Sequence, residues 1–156
     1  MFTVSDSLLV NPPGEVPLDR AQLWEGLVRK AQDPIRFVPA ISECRVLERG
    51  PDWFVREVVL RGERVRELVT YYPAEGRVFF QRLPGCSAQG TVENLIEEGP
   101  QGELRLRFTF HLTVAGLAPG SAEERRFAEE MRGSYLAAVG ATLAETRRLT
   151  LVGAID

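Results

Sequence analysis

Five polar side chains fall at alternating positions among apolar ones and would share one face of a sheet: Arg56, Glu67, Tyr71, Arg82 and Asn94. A buried charge without a partner is costly, so such a set should be paired. Two guanidiniums around one carboxylate leave one net positive charge. A guanidinium grips a carboxylate or an enolate through two parallel N–H donors. This set would therefore orient the anionic end of a ligand, with Glu67 or Tyr71 available to move protons. The alternative is a group of structural ion pairs at a sheet rim, or a bulge that turns one strand over and sends them to solvent.

The remaining reactive residue types offer less. His111 is the only histidine and falls with Arg107 and Thr109 on the outward face of its strand. A Ser-His-Asp triad would have to use it, and there is no GxSxG elbow. Cys44 and Cys86 are too few for a disulfide framework and lack metal-site spacing, so reduced thiols and no metal or other cofactor are expected. Cys44 alternates with Ser42 and Val46 and reads as a buried small hydrophobe. LPGCSAQG (residues 83–90) has the glycines of a phosphate loop but neither its lysine nor its helix. No catalytic residue is assigned.

These side chains must be positioned by elements, and the elements are legible. Phe2–Val10 reads as a strand. Asp19 and Gln22 form a capping box ahead of an apolar face of Leu23, Trp24, Leu27, Val28 and Ala31. Pro34 ends that helix, and Ile35–Val38 reads as one further helical turn. From residue 41 to 114 the period is two, with strands expected at Ile41–Glu48, Trp53–Arg61, Arg64–Tyr72, Arg77–Arg82, Thr91–Glu97 and Glu103–Thr113. Their short separators, rich in turn residues, imply antiparallel neighbours. A final helix, about Ser121–Leu149, opens on a second expected capping box (Ser121, Glu124) and carries Phe127, Met131, Tyr135, Ala138, Val139, Thr142, Leu143 and Leu149 on one stripe. It would be about 42 Å long, enough to cross a whole sheet.

Register can be argued from the turns. Gly62-Glu63 suits a two-residue hairpin with glycine first, which sets Arg61 opposite Arg64, Val58 opposite Glu67 and Arg56 opposite Val69. A slip of one residue would set Glu57 across from Glu67, like charge against like. The next turn sets Tyr72 opposite Arg77, Val69 opposite Phe80 and Glu67 opposite Arg82. Phe54, Arg56, Val58, Val65, Glu67, Val69, Tyr71, Phe80 and Arg82 then face inward, joined by Asn94, Phe108 and Phe110. Trp53 and Tyr72 are left on the outer face, which fits poorly.

The chain has 156 residues, 44% hydrophobic and 26% charged, the composition of a single globular domain. Its net charge of −3 lacks the basic footprint of nucleic-acid binding. Lys30 is the only lysine, read as compositional bias without a functional role. Leu8-Leu9-Val10 is too short for a signal peptide and no run could span a bilayer, so a cytoplasmic protein is expected. Gly133, Ala137, Gly140 and Ala144 form a small-residue stripe on the last helix. Alanine-rich composition explains it, with a contact in a homodimer as the alternative.

The order strand, helix pair, six strands, long helix resembles the helix-grip fold of the START/Bet v 1-like (SRPBCC) superfamily. More narrowly, DRAQLWEGLVRKAQDPIRFVPAISECRVLER, with REVVLRG, VRELVTYYP and NLIEEGPQGELRLRFTF, is similar to the small bacterial AtaL-like family within it. The resemblance covers residues 1–156 as one domain and implies an α+β fold, a curved seven-stranded antiparallel sheet wrapped around the C-terminal helix. It also implies a cavity for a small hydrophobic or amphipathic ligand, an anionic one if the arginines line it. Phe80, Phe108, Phe110, Met131 and Tyr135 would supply the walls, with Arg56, Glu67, Tyr71, Arg82 and Asn94 the polar end. The reading leans to binding. A polyketide cyclase or aromatase, and a partner-binding protein with a filled core, stay open beside it.

Overall fold

The computed structural model describes residues 1–156. The chain forms β1 (Phe2–Leu9), α1 (Arg20–Gln32), β2 (Ile41–Gly50), β3 (Trp53–Leu60), β4 (Glu63–Tyr72), β5 (Arg77–Arg82), β6 (Ala88–Glu98), β7 (Leu104–Val114) and α2 (Ala122–Leu151), with single 3-10 turns at Pro34–Arg36 and Pro73–Glu75. The seven strands make one antiparallel sheet in the order β1-β7-β6-β5-β4-β3-β2. This is the α+β helix-grip arrangement expected. The hydrophobic core lies between the inner face of the sheet and the two helices, around Phe54, Val69, Phe80, Phe108, Phe110 and Leu143.

The ends of the helices follow from their caps. Asp19 accepts from the Gln22 amide while the Gln22 side chain accepts from the Asp19 amide, so the α1 capping box is complete. At α2 only half of the expected box forms. Ser121 Oγ accepts from the Glu124 amide at 3.1 Å, but the Glu124 carboxylate reaches one residue further back, to the Gly120 amide at 2.9 Å. On α2 the buried face is Met131, Ala138, Val139, Thr142, Leu143 and Thr146, and the two threonines return their hydroxyls to carbonyls one turn earlier.

The β3–β4 register differs from the expected one. The turn is Arg61-Gly62, with φ of 50° and 81°, and not Gly62-Glu63. Both residues at positive φ give the hairpin turn whose twist matches its strands. The register sets Arg56 opposite Glu67, Val58 opposite Val65 and Glu57 opposite Arg66. Two cross-strand charge pairs and one apolar pair offset the strained Arg61 backbone. The shift is an even number of residues, so the inward and outward faces keep their membership. The β4–β5 register is as expected.

The two misfit aromatics have local partners on the outer face. A Cβ at Gly50 would lie 2.1 Å from Trp53 Nε1, so the indole lies directly over that glycine. Arg77 stacks its guanidinium 4.1 Å from the Tyr72 ring centroid. β6 begins three residues earlier than expected because Gly90, at φ 137°, keeps the strand paired where a Cβ would strike the His111 carbonyl at 1.9 Å.

The helices cross at Gly26, where an added Cβ would lie 2.2 Å from Thr146 Oγ1. Gly26→Val is expected to cost about 1–3 kcal/mol through overpacking, measured by urea denaturation. An unchanged midpoint would show that the two helices separate freely. The small-residue stripe divides: Gly133, Ala137 and Ala144 are exposed, while Gly140 faces Leu8 of β1.

Candidate ligand cavity and its cationic end

Adjacent strands carry the polar set inward at matched positions. Arg56 on β3 faces Glu67 on β4, which faces Arg82 on β5. These three residues are 5%, 5% and 7% exposed, and Asn94 on β6 is 2% exposed, so this is no solvated rim. Arg56 donates through Nε and Nη2 to a single oxygen, Glu67 Oε1, at 3.1 and 2.8 Å, and through Nη1 to the Ala31 carbonyl of α1 at 2.8 Å. Its guanidinium also lies 4.9 Å from the Phe80 centroid.

Arg82 is less well satisfied. Its Nη1 donates to the Ala88 carbonyl at 3.1 Å, but its Nε stands 4.0 Å from Glu67 Oε2 and is buried without a hydrogen-bond partner. A buried donor left unmade costs about 1–3 kcal/mol.

A cation outside the expected set completes this end. Lys30 projects from α1 and donates from Nζ to Asn94 Oδ1 at 2.5 Å, with the Phe80 centroid 5.7 Å away. The side chain is half-buried and lines the cavity, with its ammonium held against Asn94 and the Phe80 ring. Burial, then the neighbouring Arg56 charge, push its pKa down to about 7, against a smaller upward pull from Glu67. Its spacing in the sequence gives the face of α1 but not the depth of the ammonium. Lys30 lies three residues beyond Leu27 and seven beyond Leu23, on the helical face that enters the core.

These groups line one cavity of about 80 Å³ between the sheet and α2. Its walls are Val38, Ile41, Val58, Phe80, Val92, Met131, Tyr135 and Val139 among others, and its polar groups are Lys30, Arg56, Glu67, Arg82 and Asn94. Seven of the ten expected residues line it: Arg56, Glu67, Phe80, Arg82, Asn94, Met131 and Tyr135. Three do not. Tyr71 packs between Trp24 and Phe54 and donates its hydroxyl to the Val28 carbonyl of α1 at 3.3 Å, because its strand position lies beneath that helix. Phe108 and Phe110 are fully buried, stacked on one another and covered by Tyr135. They support the wall from behind.

At the solvent side the exposed Arg61 reaches α2, donating to Met131 Sδ at 3.5 Å and to Ser134 Oγ. Burial raises the Tyr135 phenol above its ordinary pKa, so it stays protonated and can donate. Burial also raises the half-buried Cys44 thiol, which suits an inert thiol better than a nucleophile. His111 is exposed and bonded to Thr3 Oγ1, away from the cavity. No group of three or more His, Cys, Asp or Glu residues is placed to hold a metal.

The model of the family described as AtaL, acetylaranotin biosynthesis cluster protein L, matches residues 4–153. The chain belongs to the AtaL family. Among solved structures, the AtaL-family chain is similar to the aromatase/cyclase Zhui from Streptomyces sp. R1128, with TM-score 0.71 and 19% identity over 96% of this chain and 95% of that one. A START superfamily protein from Mycobacterium smegmatis matches with TM-score 0.67 and 18% identity over 92% and 97% of the two chains. The di-domain ARO/CYC BexL of the BE-7585A biosynthetic pathway matches with TM-score 0.63 and 19% identity, over 94% of this chain and 49% of that one. The fold is therefore that of the START/polyketide-cyclase (SRPBCC) superfamily. No curated protein matches the chain, and no helix is long and apolar enough to cross a membrane.

Proposed function

We propose that this AtaL-family protein binds a small, mainly apolar molecule bearing one anionic or enolate-like oxygen, held in the cavity between the sheet and α2. The observation that carries this reading is the buried charge imbalance. Lys30, Arg56 and Arg82 line the cavity with the single carboxylate of Glu67, and Arg82 Nε has no partner. An anion entering there would supply the missing acceptor, while Phe80, Val92, Met131 and Val139 would cover an apolar body. The superfamily commonly binds small hydrophobic ligands, which supports the reading. In it the protein works in the cytoplasm, with both thiols reduced.

The test uses matched probes. Hexanoate and hexanamide have the same reach and differ in charge. Hexanoate is expected to bind about tenfold or more tightly, the worth of one charge-assisted hydrogen bond, read by calorimetry. Arg82→Leu should remove that preference and Arg82→Lys should retain part of it. Equal affinity for acid and amide would overturn the anionic reading.

A second reading is cyclase or aromatase chemistry on a polyketide-like chain, favoured by the two matched aromatase/cyclases. The buried cations would stabilise an enolate and Glu67 would move protons. The cavity volume weighs against it. About 80 Å³ is small beside the roughly 300–1,000 Å³ of pockets for drug-sized ligands, so a long substrate would have to open the grip between sheet and α2.

A further inference from the structure

Among the lysine and arginine side chains of this protein one can lose its proton near neutrality. Lys30 is the only lysine; His111 apart, every other cationic side chain is an arginine, and guanidinium stays charged at any physiological pH. The single lysine is not spent on a surface ion pair. It lines the cavity, bonds to the neutral Asn94 amide and makes no salt bridge, since the one carboxylate at this end is held by Arg56. The Ala31 carbonyl, one residue along α1, fixes the Arg56 guanidinium beside it. A primary amine on an apolar wall, next to a fixed cation and free of a counter-ion, is the arrangement that activates lysine as a nucleophile.

We infer that Lys30 Nζ adds to the carbonyl carbon of a small oxo-acid in the cavity and forms an imine with it. The inference deepens the anionic-ligand reading and rests on it for the carboxylate, which Arg82 and Arg56 would hold while the oxo group meets Lys30. The unprotonated amine attacks the carbonyl carbon, the C–N bond forms, and the carbonyl π pair moves to oxygen, which takes up a proton. The resulting carbinolamine loses water and leaves a protonated imine on Nζ. The net change is ammonium plus carbonyl to iminium plus water, with no oxidant or reductant consumed. The charged and titratable groups facing Lys30 are Arg56 from β3, Glu67 from β4 and Arg82 from β5, with the protonated Tyr135 phenol of α2 beyond them. Of these only Glu67 opposes loss of the proton, and burial together with Arg56 outweighs it, so the amine gives up its proton well below the ordinary lysine range.

Having one lysine makes the test clean. The full-length protein is incubated with acetoacetate and sodium cyanoborohydride, and the adduct is located by intact mass and peptide mapping. The Met1 amine is the internal reference. Expected is one reduced adduct per chain on Lys30, formed about tenfold or more faster than on Met1, with a rate that rises through a midpoint near pH 7 and is slowed by butyrate. Lys30→Arg keeps the charge and should label only at Met1. Lys30→Met serves as a second variant, with its folding checked by circular dichroism. Adduct on Met1 alone, or at equal rates on both amines, overturns the imine. If butyrate still raises the melting temperature in that case, the anion site stands without the chemistry. Lys30 labelling that butyrate does not slow would support the reactive amine and overturn its link to the anion site.

Discussion

Glu67→Gln is expected to destabilise the protein by about 3–5 kcal/mol, the cost of removing one partner from a buried ion pair. The shape of the side chain is nearly kept, so packing contributes little and the loss is electrostatic. Glu67 is the sole anion among the cavity's charged groups, contacting Arg56 directly at 2.8 Å and Arg82 at 4.0 Å. An amide can accept from Arg56 through one oxygen, but it leaves the guanidiniums uncompensated in a site that solvent barely reaches. Urea unfolding of the variant and the parent gives the difference. A matched control separates charge from size. Replacing the pair together, Arg56→Met with Glu67→Leu, should recover most of the loss, because apolar residues of similar volume replace a buried pair at little cost. A Glu67→Gln protein as stable as the parent would mean that the carboxylate is solvated, and the site open, in solution.

Alternation and turn residues were enough to read the strands, and the core side of each strand followed from parity. The β3–β4 register lies two positions from the expected one, with no residue moved to the wrong face. What could not be read was which element lies above each inward position. Tyr71, Phe108 and Phe110 all face inward, yet α1 covers the first and Tyr135 the others. Strand periodicity distinguishes faces; it carries no information on the axis along which helices cross the sheet. The buried end of Lys30 is hidden from the sequence for a related reason. On a helix an inward lysine looks like a residue whose stem packs and whose charge escapes to water. Only the tertiary position of α1, with Arg56 bonded to the Ala31 carbonyl, shows that the ammonium ends inside.

Lys30→Met is expected to stabilise the fold near neutral pH, on the order of 2–4 kcal/mol. The drop of the Lys30 pKa from 10.5 to about 7 corresponds to about 1.4 kcal/mol per unit, from which the lost hydrogen bond to Asn94 takes back about 1–3 kcal/mol. The pH dependence identifies the cause. Below pH 7 the amine is protonated folded and unfolded, and the parent carries the whole penalty of a buried charge. Between about 7 and 10.5 the unfolded chain binds a proton that the folded chain has released, so the parent gains stability as pH rises. The advantage of methionine should therefore be largest at pH 6–7 and shrink towards pH 10, in denaturant melts of both proteins across that range. A constant difference at all pH values would show that packing alone separates them, and an ammonium in contact with water. A cation that costs the fold this much, beside an arginine whose Nε has no partner, is a local conflict that core packing does not require. Such conflicts concentrate where a protein binds or reacts, which is the strongest physical reason to look for the ligand at this end of the cavity.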